Sequence, residues 1–233
     1  IDLADLPATF FSNVQANGAD IRITESDGIT EVPYELVNIN TGSQTGQLHF
    51  KATRLSNSVD NTFYLYFDNA SASAYAVTDT YGRNNVWTEY EAVLHLNSTT
   101  VTDSTGNGFN GTNNGAAAST HNGRNVLSFN GSSAYINLGD VLDIGTDDFT
   151  VSVNAIDTGS AATLVAKSFY SASDNRYSLV DTGSGLYSLF DAGPNYNTPS
   201  LSGYPDNQQR HYAARYDRDG NNTLLVDGVS RAT

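Results

Sequence analysis

The sequence reads as an all-β protein made of two β-sandwich domains. Apolar and polar residues alternate at period two along most of the chain, as strands with one buried and one wet face require, and helical periodicity is almost absent. Between the alternating runs stand dipeptides that tolerate positive φ, among them Asn17-Gly18, Asp27-Gly28, Asn122-Gly123, Asn130-Gly131 and Asp227-Gly228. Charged residues make up 15% of the chain against about 25% in ordinary domains. Asn, Ser, Thr and Gly take their place, and these favour turns and strands over helices. Helical bundles and coiled coils are thereby excluded. Many short antiparallel strands must close or double up to hide their edges, so a sandwich is the economical architecture.

The strands follow in order. Residues 21–24 set Ile21 and Ile23 against Arg22 and Thr24, and residues 63–67 turn Phe63, Leu65 and Phe67 one way and Tyr64 and Tyr66 the other. In 92–96, Ala92, Leu94 and Leu96 alternate with Val93 and His95. The cleanest signal is 149–155, where Phe149, Val151, Val153 and Ala155 alternate with Thr150, Ser152 and Asn154. Further strands are expected at 163–167, 177–180, 186–190, 212–216 and 223–227, and residues 70–75 alone suit a helical turn. The pattern breaks at 81–87, which contains the sole Trp, and an Asn/Gly-rich stretch follows at 103–114. Its glycines stand singly, unlike those of a uniform Gly/Ser linker, so an ordered loop is expected there. The domains are placed at 1–86 and 103–233, with 87–102 connecting them.

Lys and Arg number 11 and Asp and Glu 25, for a net charge of −14. Such a surface repels phosphate backbones and anionic lipid, which argues against nucleic-acid and membrane-surface partners. There is no Cys, which removes disulfides, iron–sulfur clusters, thiolate zinc and cysteine nucleophiles. There is no Met either, so Ile1 is expected to be a processed or internal start.

From residue 103 onward the sequence resembles the laminin-G-like, or concanavalin A-like, jelly-roll lectins. The resemblance rests on residues 103–112, 127–138, 148–153, 211–217 and 224–228, with Leu224-Leu225-Val226-Asp227-Gly228 closing the series. A Trp common in the family after the Phe-Thr-Val-Ser segment is absent, and Asn154-Ala155 stands there. Residues 17–23, 26–34 and 63–73 resemble a domain of unknown function that precedes such jelly rolls in secreted bacterial and bacteriophage proteins. The junction 81–87 is most similar to the phage-borne versions. Both resemblances stop short of full domains at residues 1 and 233. They imply a longer polypeptide, with further residues or a neighbouring chain covering a sandwich edge that is otherwise sticky.

Chemistry is thinly represented. The four histidines have no close metal-ligand spacing, and His95 and His211 fall in expected strands, where a satisfied structural histidine is the ordinary case. No Gly-x-Ser-x-Gly elbow occurs, and 182–185 reads as a turn. Glu89 with Glu91, and Asp217 with Asp219, suit a solvated edge and a hairpin better than a glycosidase pair. Two patterns point to ligands. Asp103, Thr105 and Asn107 place oxygens at loop positions 1, 3 and 5 with Gly108 at position 6, the spacing by which a tight turn surrounds Ca²⁺; a hydrogen-bonded Asx turn fits the same residues. Tyr170, Tyr196 and Tyr204 lie in polar segments where no core alternation demands them, which suits stacking on sugar rings as well as ordinary surface placement.

The resemblances imply a non-enzymatic module on the surface of a bacteriophage virion, in a tail, fibre or head decoration. It is expected outside the cell or on the particle, packed against neighbouring virion chains and copies of itself, and in contact with host glycan. The alternative is a glycan-binding module of a secreted bacterial carbohydrate-active or adhesion protein.

Overall fold

The computed structural model describes residues 1–156, 158, 161–167, 176–191, 198–203 and 207–233. It is almost entirely β, and its strand pairs are antiparallel. The chain divides into two compact units, 1–140 and 141–233. The division therefore falls later than the expected connection at 87–102. Residues 103–140 pack with the first unit because their polar side chains and backbone are bonded into it: Ser104 Oγ reaches Glu35, Asp103 accepts from the Val93 N–H, and the Gly111 N–H donates to the Val101 carbonyl.

The first unit begins with a 3₁₀ turn, Leu3–Asp5, capped by Asp2, and a short helix α1, Ala8–Asn13. Pro7 stands just before α1, where its fixed φ favours a helix start, and Phe10 and Phe11 are buried. Six residues are too few to show a 3.6-residue period, so the sequence pattern gives no sign of α1. Strand β1 (Arg22–Thr24) follows, then β2 (Tyr34–Asn40), β3 (Thr45–Phe50) and β4 (Tyr64–Tyr66). β1 pairs with β4 and β2 with β3. The core joins Leu3, Phe10, Ile21, Ile23, Val32 and Leu48, with Phe63, Leu65 and Phe67 packed against it. Tyr64 and Tyr66 face out, as the alternation at 63–67 requires.

Two expectations for this unit change. Residues 92–96 make no strand; Leu94 forms a single bridge to Asp103, the Val93 N–H donates to the Asp103 carboxylate, and the Val93 carbonyl accepts the Ser104 N–H. Residues 70–75 hold only a turn, fixed where Gln15 Nε2 donates to the carbonyls of Asn69 and Ala72. The unit ends with β5 (Thr112–Asn114), β6 (Ala117–His121), β7 (Arg124–Ser128) and β8 (Tyr135–Asn137). β5 pairs with β8, while β6 and β7 form a hairpin closed by Asn122 and Gly123, both at positive φ.

The second unit holds β9 (Phe149–Ile156), β10 (Ala162–Lys167), β11 (Arg176–Asp181), β12 (Gly185–Asp191), β13 (Ser200–Ser202), β14 (Gln209–Tyr216), β15 (Thr223–Val226) and β16 (Val229–Ala232). They form two four-stranded sheets, ordered β10-β11-β12-β13 and β16-β15-β14-β9. One core joins them: Tyr177, Leu179, Leu186 and Phe190 of the first sheet meet Tyr212, Ala214, Tyr216, Leu224 and Val226 of the second. β9 shows the predicted alternation over its whole length, with Phe149, Val151, Val153 and Ala155 on the core side. Aromatic rings fill the centre; Phe149 stacks on Tyr216 at 4.6 Å and meets Tyr177 edge-on at 5.0 Å.

Candidate functional site

The Asp103 loop brings its three predicted ligands together and commits the oxygens of Asp103 and Thr105 to internal hydrogen bonds. Asp103 Oδ1 accepts the N–H groups of Val93 and Thr105, each at 3.0 Å; Oδ2 accepts the Thr105 hydroxyl at 2.5 Å and the Phe109 N–H at 3.0 Å. The Thr105 hydroxyl also accepts from the Asn107 N–H, and Asn107 Nδ2 donates to the Glu91 carbonyl. Burial works to raise the Asp103 carboxyl; the Thr105 hydroxyl and the three backbone N–H bonds outweigh it and hold the group below its ordinary value. A carboxylate has about four lone-pair sites, and here four donors fill them. A Ca²⁺ ion at this loop would have to displace those donors. Calcium is therefore expected to leave the melting temperature unchanged, whereas a rise that vanishes in Asp103→Asn would assign the loop to the metal.

A second buried carboxylate was not among the sequence candidates. Glu35, on β2 and 6% exposed, accepts Trp87 Nε1 at 2.6 Å and His95 Nε2 at 2.9 Å on one oxygen and Ser104 Oγ at 2.6 Å on the other. Because the carboxylate only accepts, His95 Nε2 carries the proton. Burial pushes the Glu35 carboxyl up; the bonds from His95 and Ser104, the His95 charge and the Trp87 N–H together bring it below the ordinary glutamate value. His49 stacks on His95 at 5.2 Å and lies 5.2 Å from Trp87. Its Nε2 accepts from Gln47 Nε2 at 2.9 Å, which requires the neutral ring. Burial, with the charges of His95 and the Ile1 amino group, lowers His49 to about 4.

A serine, a histidine and an acid in contact invite comparison with a nucleophilic triad, and the wiring rules it out. Ser104 donates to the carboxylate rather than to the imidazole, so histidine is not placed to take its proton. The group ties scattered segments together. The signal that could have revealed it is a lone Glu in an otherwise apolar-patterned stretch, in a chain with one Trp.

The same unit carries a cavity of about 330 Å³, lined among others by Tyr34, Glu35, Tyr75, Arg83, His95 and Ser104. Nε of Arg83 is buried without a hydrogen-bond partner among the described residues. In the second unit, carboxylate oxygens of Asp148, Asp217 and Asp219 come within 4.8 Å of one another. The sequence paired the last two but not Asp148, which arrives because Phe149 of β9 pairs with Tyr216 of β14. Asp148 accepts the Arg218 N–H at 2.9 Å, and the Arg218 guanidinium lies over the Phe190 ring at 4.6 Å. Glu89 and Glu91 are exposed, His211 lies in β14, and residues 182–184 make the β11–β12 turn, with Gly185 opening β12. His95 lies outside any strand. Tyr170, Tyr196 and Tyr204, the sugar-stacking candidates, fall outside the described residues. Among the described residues no helix is long and apolar enough to cross a membrane. Comparisons with known protein families, curated protein sequences and solved structures give no match for this chain.

Proposed function

We propose that the chain is a non-enzymatic structural module on the surface of a bacteriophage particle, in a tail, fibre or head decoration, working against neighbouring virion chains and copies of itself. One observation carries the non-enzymatic part: the two buried acids of the first unit that stand closest to catalytic or metal chemistry are committed to internal donors, three on Glu35 and four on Asp103. Groups engaged in this way serve to hold a fold. The phage setting is supported by the resemblance of residues 17–23, 26–34, 63–73 and 81–87, and the lectin-like jelly roll by the two four-stranded sheets of the second unit over one core. A net charge of −14 suits a protein that stays soluble at high copy number.

Contact with glycan is the second reading, and it extends to the alternative of a module in a secreted bacterial protein. It draws on the cavity of about 330 Å³ with Arg83 in its wall, a volume at the small end of the roughly 300–1,000 Å³ range of ligand pockets. Incubating the purified protein with bacterial surface polysaccharides is expected to release no reducing ends; release by this chain alone overturns the structural assignment. On a glycan array, retention of a sugar that is lost in Arg83→Gln places the glycan contact in this cavity. Retention unaffected by that change places it elsewhere.

A further inference from the structure

We infer that Asn122 is a self-modification site, at which the Asn122-Gly123 pair deamidates while the other Asn-Gly pairs of the folded chain are protected. The chemistry needs no enzyme. The glycine backbone nitrogen attacks the asparagine Cγ, the Cγ–Nδ2 bond breaks, and the glycine proton leaves with the amide as ammonia. The succinimide so formed takes up water and opens to aspartate or to isoaspartate. Closing the ring demands that the side-chain amide swing onto the next backbone nitrogen, so any bond that holds the amide elsewhere opposes it.

The sequence contains six Asn-Gly pairs, at 17, 107, 110, 114, 122 and 130. Five are held. Asn17 Oδ1 accepts the Ala19 N–H, and the attacking nitrogen of Gly18 is itself donated to the Gln15 carbonyl. Asn107 Nδ2 donates to the Glu91 carbonyl at 2.9 Å, and Asn114 Nδ2 to that of Thr112 at 3.1 Å. Asn110 Oδ1 accepts the Asp103 N–H, and the Gly111 N–H is bonded to the Val101 carbonyl. Asn130 is held most firmly, its Oδ1 accepting three successive N–H groups from Ser132, Ser133 and Ala134. Asn122 makes no side-chain hydrogen bond among the described residues. It stands exposed at the tip of the β6–β7 hairpin, and nothing lies within 4 Å of where a Cβ on Gly123 would sit. Each bond that must break before attack slows the reaction several-fold, the equivalent of about 1 kcal/mol.

The site has a structural consequence. Isoaspartate inserts a main-chain carbon into a two-residue turn whose flanks, His121 and Arg124, are register partners. Either product also places a new carboxylate two residues from Arg124, whose Nε and Nη2 both donate to Asp2. The modified tip competes for that guanidinium.

The test is peptide mass mapping of the full chain after prolonged incubation in mildly alkaline buffer, with a free peptide spanning residues 117–128 alongside. The expected result is that the mass gain of an amide becoming a carboxyl appears first at 122, several-fold ahead of the other five, is absent there in Asn122→Gln, and spreads to all six pairs in urea. The inference fails if another pair reacts as fast in the folded protein. It fails equally if 122 stays intact while the free peptide reacts, or if the other five remain slow in urea, since protection then does not come from the fold.

Discussion

Replacing Glu35 by alanine is expected to lower the stability of the first unit by about 3–5 kcal/mol, the range for removing one partner from a buried charged pair. The substitution strands three donors at once: the Trp87 indole N–H, the His95 Nε2–H and the Ser104 hydroxyl, the last belonging to a residue only 2% exposed. Each orphaned group costs about 1–3 kcal/mol where water cannot reach it. Because the chain has one Trp and it donates to Glu35, the urea midpoint of Trp fluorescence reports on this unit. Glu35→Gln keeps the volume and an oxygen that can accept both Trp87 and His95, but it loses the charge and turns an NH2 toward the Ser104 hydroxyl, which must change from donor to acceptor, so an intermediate loss is expected. A shift below about 1 kcal/mol for the alanine variant would mean that the carboxylate's bonds do not hold the segments together.

Acidification is expected to weaken the same unit well before bulk carboxylates titrate. In the fold His49 binds its proton only near 4, whereas in the unfolded chain it does so near 6.5. Between these values the unfolded state carries the extra proton, so stability falls as pH drops from about 6.5 to 4 and this contribution levels off below. The full separation corresponds to about 3 kcal/mol, and the ring's partial exposure brings the expected loss nearer about 2 kcal/mol. Glu35 acts in the same direction at lower pH: its depressed carboxyl contributes stability above the unfolded value, and this is lost as pH falls through the folded one. His95, the Ile1 amino group and Glu35 are the charged groups acting on His49, the first two against its protonation and the third for it. Urea midpoints of Trp87 fluorescence taken across this window check the slope. His49→Phe, which has no proton to bind, is expected to flatten it; an unchanged slope removes His49 from the account.

The second unit was largely legible in the sequence. Phe149, Val151, Val153 and Ala155 declare their side of β9 by simple alternation, because one face of that strand is buried and the other wet. β2 was not legible, because Glu35 sits in it as a buried residue and breaks the apolar pattern that marks a half-buried strand. Residues 92–96 misled in the opposite sense: they alternate, yet the Asp103 carboxylate and the Ser104 N–H take the Val93 backbone groups that a longer strand partner would have taken. The Asp103 turn was readable from local spacing, since its bonds to Thr105, Asn107 and Phe109 span few residues. The Glu35 group was not, since positions 35, 87, 95 and 104 lie far apart in sequence and meet only after folding.

The pairing of β9 with β14 governs how the second unit comes into being. β9 is complete at residue 156, but among the described residues its one hydrogen-bonded neighbour in the sheet is residues 209–216. On a ribosome, β9 emerges with a bare edge and must wait while the β11–β12 hairpin, whose partners adjoin in sequence, zips first. Closing so long a loop is entropically slow, and until it closes a strand carrying Phe149, Val151 and Val153 is open to capture by another nascent copy. The alternating face that announces this strand in the sequence is also its chief hazard during synthesis.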